Sequence, residues 1–170
     1  MFKTSRLSLN AWEEADFEAI ARILQDAATM HHWPAPLNDD ATVSWLKRAV
    51  EHQAEYGFSR WRCELKTGEI IGDVGALHHI VRDKPVVDLG YIIHADYWGR
   101  GYGLEAAQGS MEWLKRNGKA LNIQTIVATM ATDNIASVRT AQRLDMQLTD
   151  TFHNRNNLNK ESYYFELRLD

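Results

Sequence analysis

The feature that most constrains this chain is a set of three glycines within five residues, in the run WGRGYG at residues 98–103. A β-branched and aromatic run at residues 86–93 precedes it, and a helical pattern begins at Leu104. The order is therefore strand, glycine loop, helix. A helix N-terminus leaves backbone N–H groups unpaired and carries the positive end of the helix dipole. A loop with few side chains lets an anion reach those groups, so the stretch predicts a phosphate site.

The rest of the chain alternates strand and helix patterns around this loop. Helical spacing predicts a first helix that ends near Gln25, a second towards Tyr56, a third from Leu104 and a fourth around residues 135–144. Strand patterns predict about seven strands, at residues 4–10, 58–65, 69–77, 86–93, 123–130, from Gln147, and at 163–169. The fold class is therefore α+β, or mixed α/β, in a single domain over residues 1–170, with helices on both faces of a central sheet.

Loops and helix ends follow from glycine, proline and short polar residues. Residues 30–38, with two prolines, predict a loop, and residues 78–85 predict a turn between two strands of a meander. The expected helix ends are Asp39 or Asp40 and Gly57 for the second helix, Gly118 after the third, and Asp133 or Asn134 before the fourth.

Bulk properties narrow the function classes. The net charge of −4 argues weakly against a nucleic-acid-binding protein, which normally has a basic face. One cysteine, Cys63, excludes an internal disulfide framework, and its apolar strand indicates a buried, inert thiol. We find neither a signal-peptide pattern nor an apolar run that would span a bilayer. We therefore expect a cytoplasmic protein with neither nucleic-acid nor membrane partners.

Three glycine-loop chemistries compete for residues 98–104. A P-loop needs a Lys-Ser/Thr pair after the glycines, where this chain has Leu104-Glu105. A Rossmann loop needs a third glycine at position 104 and normally opens its domain, so this reading is weak. The third candidate is the pyrophosphate cradle of acyl-coenzyme A acyltransferases.

The run at residues 88–106, DLGYIIHADYWGRGYGLEA, resembles the core motif of the GNAT family of N-acetyltransferases, with the consensus Q/R-x-x-G-x-G/A. Gly101 and Gly103 match both consensus glycines, whereas Trp98 replaces the Gln or Arg and removes one side-chain donor. Within the family the chain is most similar to the ribosomal-protein N-terminal acetyltransferase group. The resemblance extends to TSRLSL at residues 4–9, EIIG at 69–72 and an Asn-x-x-Ser helix start.

The resemblance implies an acetyl-CoA-dependent N-acetyltransferase that transfers the acetyl group directly to an amine in a ternary complex, without a metal. It implies that the strand before the glycine loop splays from its neighbour, which frees main-chain groups near Ile92 and Ile93 for the pantetheine arm. We expect the backbone N–H groups of Arg100 to Leu104 to form the cradle, with the Arg100 side chain as a phosphate partner. The full set of expected cofactor-binding residues is Ile92, Ile93, Trp98, Gly99, Arg100, Gly101, Tyr102, Gly103, Leu104, Asn134 and Ser137.

Asp88 is the candidate general base. It is an acid inside an apolar strand, where burial raises a carboxyl pKa towards the working range, and it matches the position of the base in histone-type relatives. Aspartate is one methylene shorter than glutamate, so a water would relay the proton. An ion-paired structural role for Asp88 is an equal alternative. Asp73, a second strand acid, has a lower rank as a substrate-binding residue.

The later helix carries the remaining candidates. Asn134 resembles the residue that contacts pantetheine, and Ser137 a catalytic hydroxyl near the sulfur, although a helix cap and a packing residue are equal alternatives. The tyrosine that many relatives use as the proton donor corresponds here to Ala141. Five histidines lack a metal-ligand spacing: His31, His32, His78, His79 and His94.

The acceptor is open at this stage. Trp33 and Trp61 are candidates for its pocket, although large aromatic residues lie more often in a core. The acceptor is either a protein N-terminus or a small amine such as an amino acid, polyamine or antibiotic. The alternative function is an acyl-CoA-binding regulatory protein without turnover. The aromatic final strand suggests a homodimer through strand pairing.

Overall fold

The computed structural model describes residues 1–169. The helices are α1 (Phe17–Leu24), α2 (Asp39–Tyr56), α3 (Tyr102–Asn117) and α4 (Ile135–Arg143). The strands are β1 (Phe2–Lys3), β2 (Leu7–Ala11), β3 (Arg60–Leu65), β4 (Ile70–Val81), β5 (Lys84–Ile93), β6 (Thr125–Ala131), β7 (Gln147–Asn154) and β8 (Lys160–Arg168).

The strands form one sheet in the order β1-β2-β3-β4-β5-β6-β8-β7. Every pair is antiparallel except β5 and β6, which are parallel. The predicted mixed α/β class with a mostly antiparallel sheet is therefore confirmed. The strand beyond the predicted seven is β1, whose two residues are too few to show an alternating pattern in the sequence.

Helices cover both faces of the sheet, as predicted. Ile93 packs in one apolar cluster with buried residues of α3 and α4, such as Met111 and Ala141. Its neighbour Ile92 packs in a second cluster with buried residues of α1 and α2, such as Ile20 and Leu46. Successive strand residues point to opposite faces, so Ile92 and Ile93 mark the two sides of the sheet.

The predicted turn at residues 78–85 is wrong. β4 continues to Val81 and β5 begins at Lys84, so only Arg82 and Asp83 form the turn. Both have positive φ, 52° and 60°, as a two-residue hairpin of the primed type requires. Consecutive histidines and a proline hid the strand pattern, and the hairpin places His79 and its neighbours on a long, regular ladder.

The helix ends agree only in part with the sequence. Asn38, not Asp39 or Asp40, caps α2, because its side chain accepts a hydrogen bond from the Ala41 N–H at 2.9 Å. Gly57 ends α2 in the left-handed conformation, as predicted. Gly118 is not left-handed, with φ of −55°; a Cβ there would lie 2.6 Å from Leu169 Cδ1. Close packing therefore explains this glycine.

The final strand does not lie at an edge of the sheet. β8 pairs with β6 on one side and with β7 on the other, so β7 is the edge strand. The reason for expecting β8 to pair across a dimer is therefore wrong. Within residues 1–169, none of the helices is long and apolar enough to cross a bilayer.

We expect the Cys63 thiol to be unreactive in the folded protein. The residue is fully buried, as the sequence indicated, and burial raises its pKa to about 12. Because the thiolate is the nucleophile, an aromatic disulfide reagent at pH 8 should react only after unfolding. Titration in guanidinium should release one thiol per chain; rapid stoichiometric reaction of the native protein would contradict the buried position.

Candidate active site

The site begins where the sheet opens between β5 and β6. These strands pair only at Val87 with Ile126 and at Asp88 with Val127. β5 nevertheless continues to Ile93, paired with β4 along its length, and β6 continues to Ala131. The splay that the family resemblance implied is therefore present, and it starts directly after Asp88.

The glycine loop forms an uncapped start of α3. Gly99 and Gly101 have positive φ, 74° and 80°, a conformation that costs other residues free energy. Gly101 is the N-cap of α3, which starts at Tyr102, and no side chain caps this end. The N–H groups of the first turn are therefore available to an anion.

Arg6 holds the loop against the start of β2. Its Nε donates to a Glu105 carboxylate oxygen at 2.6 Å, and its Nη1 donates to the Arg100 carbonyl at 2.9 Å. The guanidinium also lies 4.5 Å from the centre of the Tyr102 ring. The Glu105 carboxylate, at the positive end of α3, accepts a further hydrogen bond from Thr4. These contacts restrict the position of the loop backbone.

Trp98, the departure from the family consensus, bonds within the loop. Its indole Nε1–H donates to the Ile93 carbonyl at 2.7 Å, so this carbonyl already has a partner. The rest of the Trp98 side chain is exposed and contacts His31, with ring centres 5.5 Å apart. The Arg100 guanidinium lies 5.7 Å from the Tyr97 ring centre.

The start of α4 lies across the splay from β5. Asn134 caps this helix by accepting a hydrogen bond from the Ser137 N–H at 3.2 Å. The Tyr91 hydroxyl, from β5, donates to the Ser137 carbonyl at 2.8 Å. Ala141 is fully buried, so that position of α4 supplies no proton donor. Tyr91 thus joins the two sides of the splay, a role that the sequence did not reveal.

Asp88 lies at the closed end of the splay. Its Oδ1 is enclosed and has no hydrogen-bond partner within residues 1–169. Burial raises the pKa of the carboxyl, and nearby positive charge partly offsets that effect. The basic side chains that face it are the guanidinium groups of Arg60 from β3 and Arg48 from α2, and the imidazole of His79 from β4. Burial raises the pKa values of the Tyr91 and Tyr164 phenols, and the Asp88 charge adds to that effect.

Arg60 is a buried cation, and the sheet has room for it because the facing residue of β5 is a glycine. It is only 7% exposed, and its guanidinium lies against Gly90 of β5. A Cβ at position 90 would lie 1.9 Å from Arg60 Nη2. Gly90 is therefore required so that the Arg60 guanidinium can lie against the strand, between Asp73 and Asp88.

Asp73 is the buried carboxylate that pairs with Arg60. Its two carboxylate oxygens accept hydrogen bonds from the indoles of Trp12 at 2.8 Å and Trp45 at 3.0 Å. Arg60 Nη1 lies 3.5 Å from Oδ2 of Asp73. Burial raises the pKa of this fully buried carboxyl, while the Arg60 charge and the indole donors act in the opposite direction. Asp73 does not line the cavity described next.

A cavity of about 840 Å³ occupies the splay on the side of α2. Its walls come from the β4–β5 hairpin, from the end of β6 and from the start of α4. Single residues of β3 and α2, the loop before α2, and the end of β7 with the loop that follows it complete them. Trp33, Asn134 and Ser137 are among the residues that line it. The Asn157 amide donates to the His32 carbonyl at 3.0 Å and ties the two loops together. Trp61 lies in the core instead.

Sequence reasoning missed three basic side chains of this cavity. Arg60, Arg48 and His79 line it and face Asp88. Arg60 has the same sequence signal as Asp88, because it is a charged residue within an apolar strand. Arg48 lies on the polar side of α2, where its sequence position does not differ from that of a solvent-exposed residue.

Comparison with known proteins agrees with this geometry. Residues 6–147 match the family described as acetyltransferase (GNAT) domain. The chain therefore belongs to the GNAT acetyltransferase family. It is 27% identical over 158 residues to the protein YkkB of Bacillus subtilis (strain 168), which covers 90% of this chain and 88% of YkkB.

Two solved structures share the fold. Ribosomal-protein-S5-alanine acetyltransferase from Vibrio fischeri has a TM-score of 0.80 at 18% identity, with 99% of this chain and 96% of that chain covered. The ribosomal L7/L12 alpha-N-protein acetyltransferase RimL, solved with coenzyme A, has a TM-score of 0.78 at 15% identity, with 98% and 96% covered. At these identities the likeness concerns the fold.

We predict that Gly90→Ala destabilises the protein. The new Cβ would overlap the Arg60 guanidinium, and moving that buried charge away from Asp73 should lower the free energy of unfolding by about 1–3 kcal/mol. Urea denaturation measures the change. Gly103→Ala is the matched control, because its Cβ would lie at an ordinary 3.6 Å from Ile93 Cγ1. Equal stability of the two variants would show that Arg60 moves away freely.

Proposed function

We propose that this protein is an acetyl-CoA-dependent N-acetyltransferase that transfers the acetyl group directly to an amine in a ternary complex. The observation that carries this proposal is the splay after Asp88. The uncapped start of α3 lies beyond one end of the free stretch of β5, and the cavity with its charged wall lies beside that stretch. A thioester held in the splay would therefore be open to an amine in the cavity.

The donor half rests on the glycine loop and the start of α4. Backbone N–H groups from Arg100 to Leu104 would hold the pyrophosphate of coenzyme A, with the Arg100 side chain beside them. Gly99, Tyr102 and Gly103 give the loop its backbone conformation. The two glycines also leave room for the pyrophosphate to approach the backbone. Main-chain groups near Ile92 and Ile93, together with Asn134 and Ser137, would contact the pantetheine arm. Ser137 is also our candidate for the hydroxyl near the sulfur. The Trp98 bond to Ile93 limits that arm to the remaining free groups.

The acceptor half rests on Asp88 and Trp33. The amine reaches the site as an ammonium ion and must lose a proton before it attacks. Asp88 is half-buried, its enclosed Oδ1 lacks a partner, and its pKa is raised, which suits a base near neutral pH. Leu89 lines the cavity and Asp88 does not, so we place one water between the amine and Asp88. Asp73 acts through Arg60.

The alternative is a protein that binds acyl-CoA without turnover. Two observations favour it. Ala141 stands where many relatives have the proton donor, and the Trp98 indole bonds to a carbonyl within the splay instead of facing a phosphate. The acceptor classes within the enzyme hypothesis include a protein N-terminus, an amino acid, a polyamine and an antibiotic.

We predict that Gly101→Ala weakens coenzyme A binding about tenfold or more. An alanine with φ near 80° costs roughly 1–2 kcal/mol, and relief of that strain moves the N–H groups of the cradle. Isothermal titration with coenzyme A measures the affinity. Gly68→Ala is the matched control, with φ of 88° in the turn between β3 and β4 and no neighbour within 4 Å. It should lose similar stability and keep its affinity; a wild-type protein that fails to bind coenzyme A would refute the proposed function.

We predict that Asp88→Asn lowers kcat about 100-fold or more while acetyl-CoA binding persists, because general-base catalysis contributes that much. In the wild type, activity should fall as pH decreases through the Asp88 pKa, since only the ionised form accepts a proton. Burial raises that pKa, so the loss should begin above the usual range of aspartate. The variant should lack this limb of the profile.

The measurement is release of free thiol from acetyl-CoA across a panel of amines and N-terminal peptides. Asp145→Asn is the matched control, because it removes one exposed carboxylate at a left-handed position that asparagine tolerates. Turnover that collapses in Asp88→Asn and persists in Asp145→Asn would exclude the binding-only alternative. Full activity of Asp88→Asn would refute the assignment of the base.

A further inference from the structure

The cavity wall has a charge opposite to that of the protein. The chain carries 23 acidic and 19 basic side chains, for a net charge of −4. The wall of the cavity nevertheless includes four arginines and one carboxylate, which belongs to Asp83. The arginines are Arg48, Arg60, Arg82 and Arg155. A concentration of one charge sign within a concave site attracts ligands of the opposite sign.

Two of these arginines lack a carboxylate partner within residues 1–169. Arg48 donates through Nη2 to the His78 carbonyl at 3.0 Å and to His79 Nδ1 at 3.2 Å, both neutral acceptors. Arg155 makes neither an ion pair nor a side-chain hydrogen bond to the described residues. Arg82, by contrast, pairs with Asp150 outside the wall. The unpaired guanidinium groups are available to an anion.

Arg60, the buried arginine of the wall, is also incompletely paired. Arg60 is 7% exposed and pairs with Asp73 only at 3.5 Å, and its Nε has no hydrogen-bond partner in the described chain. Burial and the charge of Arg60 lower the pKa of Arg48. Buried donors are normally satisfied, so this enclosed N–H shows that the described residues pair the Arg60 guanidinium incompletely.

This cationic wall is separate from the coenzyme A cradle. None of residues 98–104 lines the cavity. The phosphates of the cofactor have their own donors at the start of α3, so the arginines remain for the second substrate. Apolar and aromatic side chains complete the wall, among them Trp33, Tyr91 and Phe152.

We propose that the acceptor is a small amine that also carries an anionic group, a carboxylate as in a free amino acid or a phosphate ester, which Arg48 and Arg155 bind. This inference rests on the proposed function. Guanidinium groups bind both anions through paired N–H donors. The anion would hold the substrate by one end and direct the amine towards the splay. A polyamine or other polycation would meet like charge on this wall.

The transfer step balances without a further reactant. The ammonium loses one proton to Asp88 through the water, and the neutral nitrogen attacks the carbonyl carbon of the thioester. The new C–N bond forms and the C–S bond breaks. The second nitrogen proton goes to the leaving thiolate. The products are an N-acetyl amine, free coenzyme A thiol, and one proton that Asp88 returns to solvent.

The test compares matched acceptors with acetyl-CoA and the intact protein. L-phenylalanine is compared with L-phenylalaninamide, and phosphoethanolamine with ethanolamine; spermidine and an N-terminal peptide amide complete the panel. We expect kcat/KM to be about tenfold or more higher for the anionic member of at least one pair, since charged hydrogen bonds are the stronger ones. Which pair shows the preference distinguishes carboxylate from phosphate.

Variants locate the anion site. Arg48→Gln and Arg155→Gln should each reduce the preference to about threefold or less, with most of the loss in KM for the anionic acceptor. Arg116→Gln is the control, since Arg116 is exposed at the far end of α3 and pairs with Glu112. It removes the same charge from the protein and should keep the preference.

A binding measurement separates this inference from turnover. N-acetyl-L-phenylalanine and its amide are titrated into the protein saturated with coenzyme A, and the acid should bind about tenfold more tightly. Turnover at equal rates for both members of every pair would overturn the anionic acceptor and leave the transfer reaction intact. Binding of the acid without thiol release from any acceptor would overturn the transfer reaction, and the acceptor assignment with it.

Discussion

The rest of the structure depends on the incomplete pairing between β5 and β6. β5 and β6 are parallel neighbours joined at only two residue pairs, and beyond Asp88 the edge of β5 that would face β6 is left without a strand partner. Backbone groups without partners are costly when they are buried, so a chain keeps such an opening only where something else occupies it. Here the Trp98 indole meets one carbonyl, and the Tyr91 hydroxyl bridges to α4. The remaining groups face the cavity that we assign to the thioester and the amine.

A cluster of buried charges fixes the chemistry beside that opening. Arg60 lies between two acids, and Gly90 is the residue that lets it lie there. Asp73 is satisfied by two indoles, so it serves as an anchor, whereas Asp88 keeps one oxygen unpaired. The same burial that makes both charges expensive raises the pKa of the unpaired acid. Two similar strand acids thereby acquire different roles through their hydrogen-bond partners.

Much of the fold could be predicted from the hydrophobic periodicity of the sequence, and the predictions that were wrong have identifiable causes. The β4–β5 hairpin was missed around His78 because polar residues and Pro85 interrupt the strand pattern, although the ladder continues through them. Asn38 takes the capping role expected of Asp39 or Asp40, a shift of one residue that depends on where the preceding loop enters the helix. β8 was expected at an edge, but chain order does not reveal that β7 would lie outside it.

The sequence by itself determined the strand, glycine loop and helix at the centre of the chain, because those depend on local conformation. Glycine adopts the left-handed angles at positions 99 and 101 without strain, so the sequence itself indicates this loop conformation. The tertiary structure alone decided which basic side chains surround Asp88. Arg48, Arg60 and His79 come from a helix and two strands that are distant in sequence, and only the packing of α2 against the sheet brings them together. The proposed donor site therefore depends on local conformation, and the proposed acceptor site depends on long-range contacts.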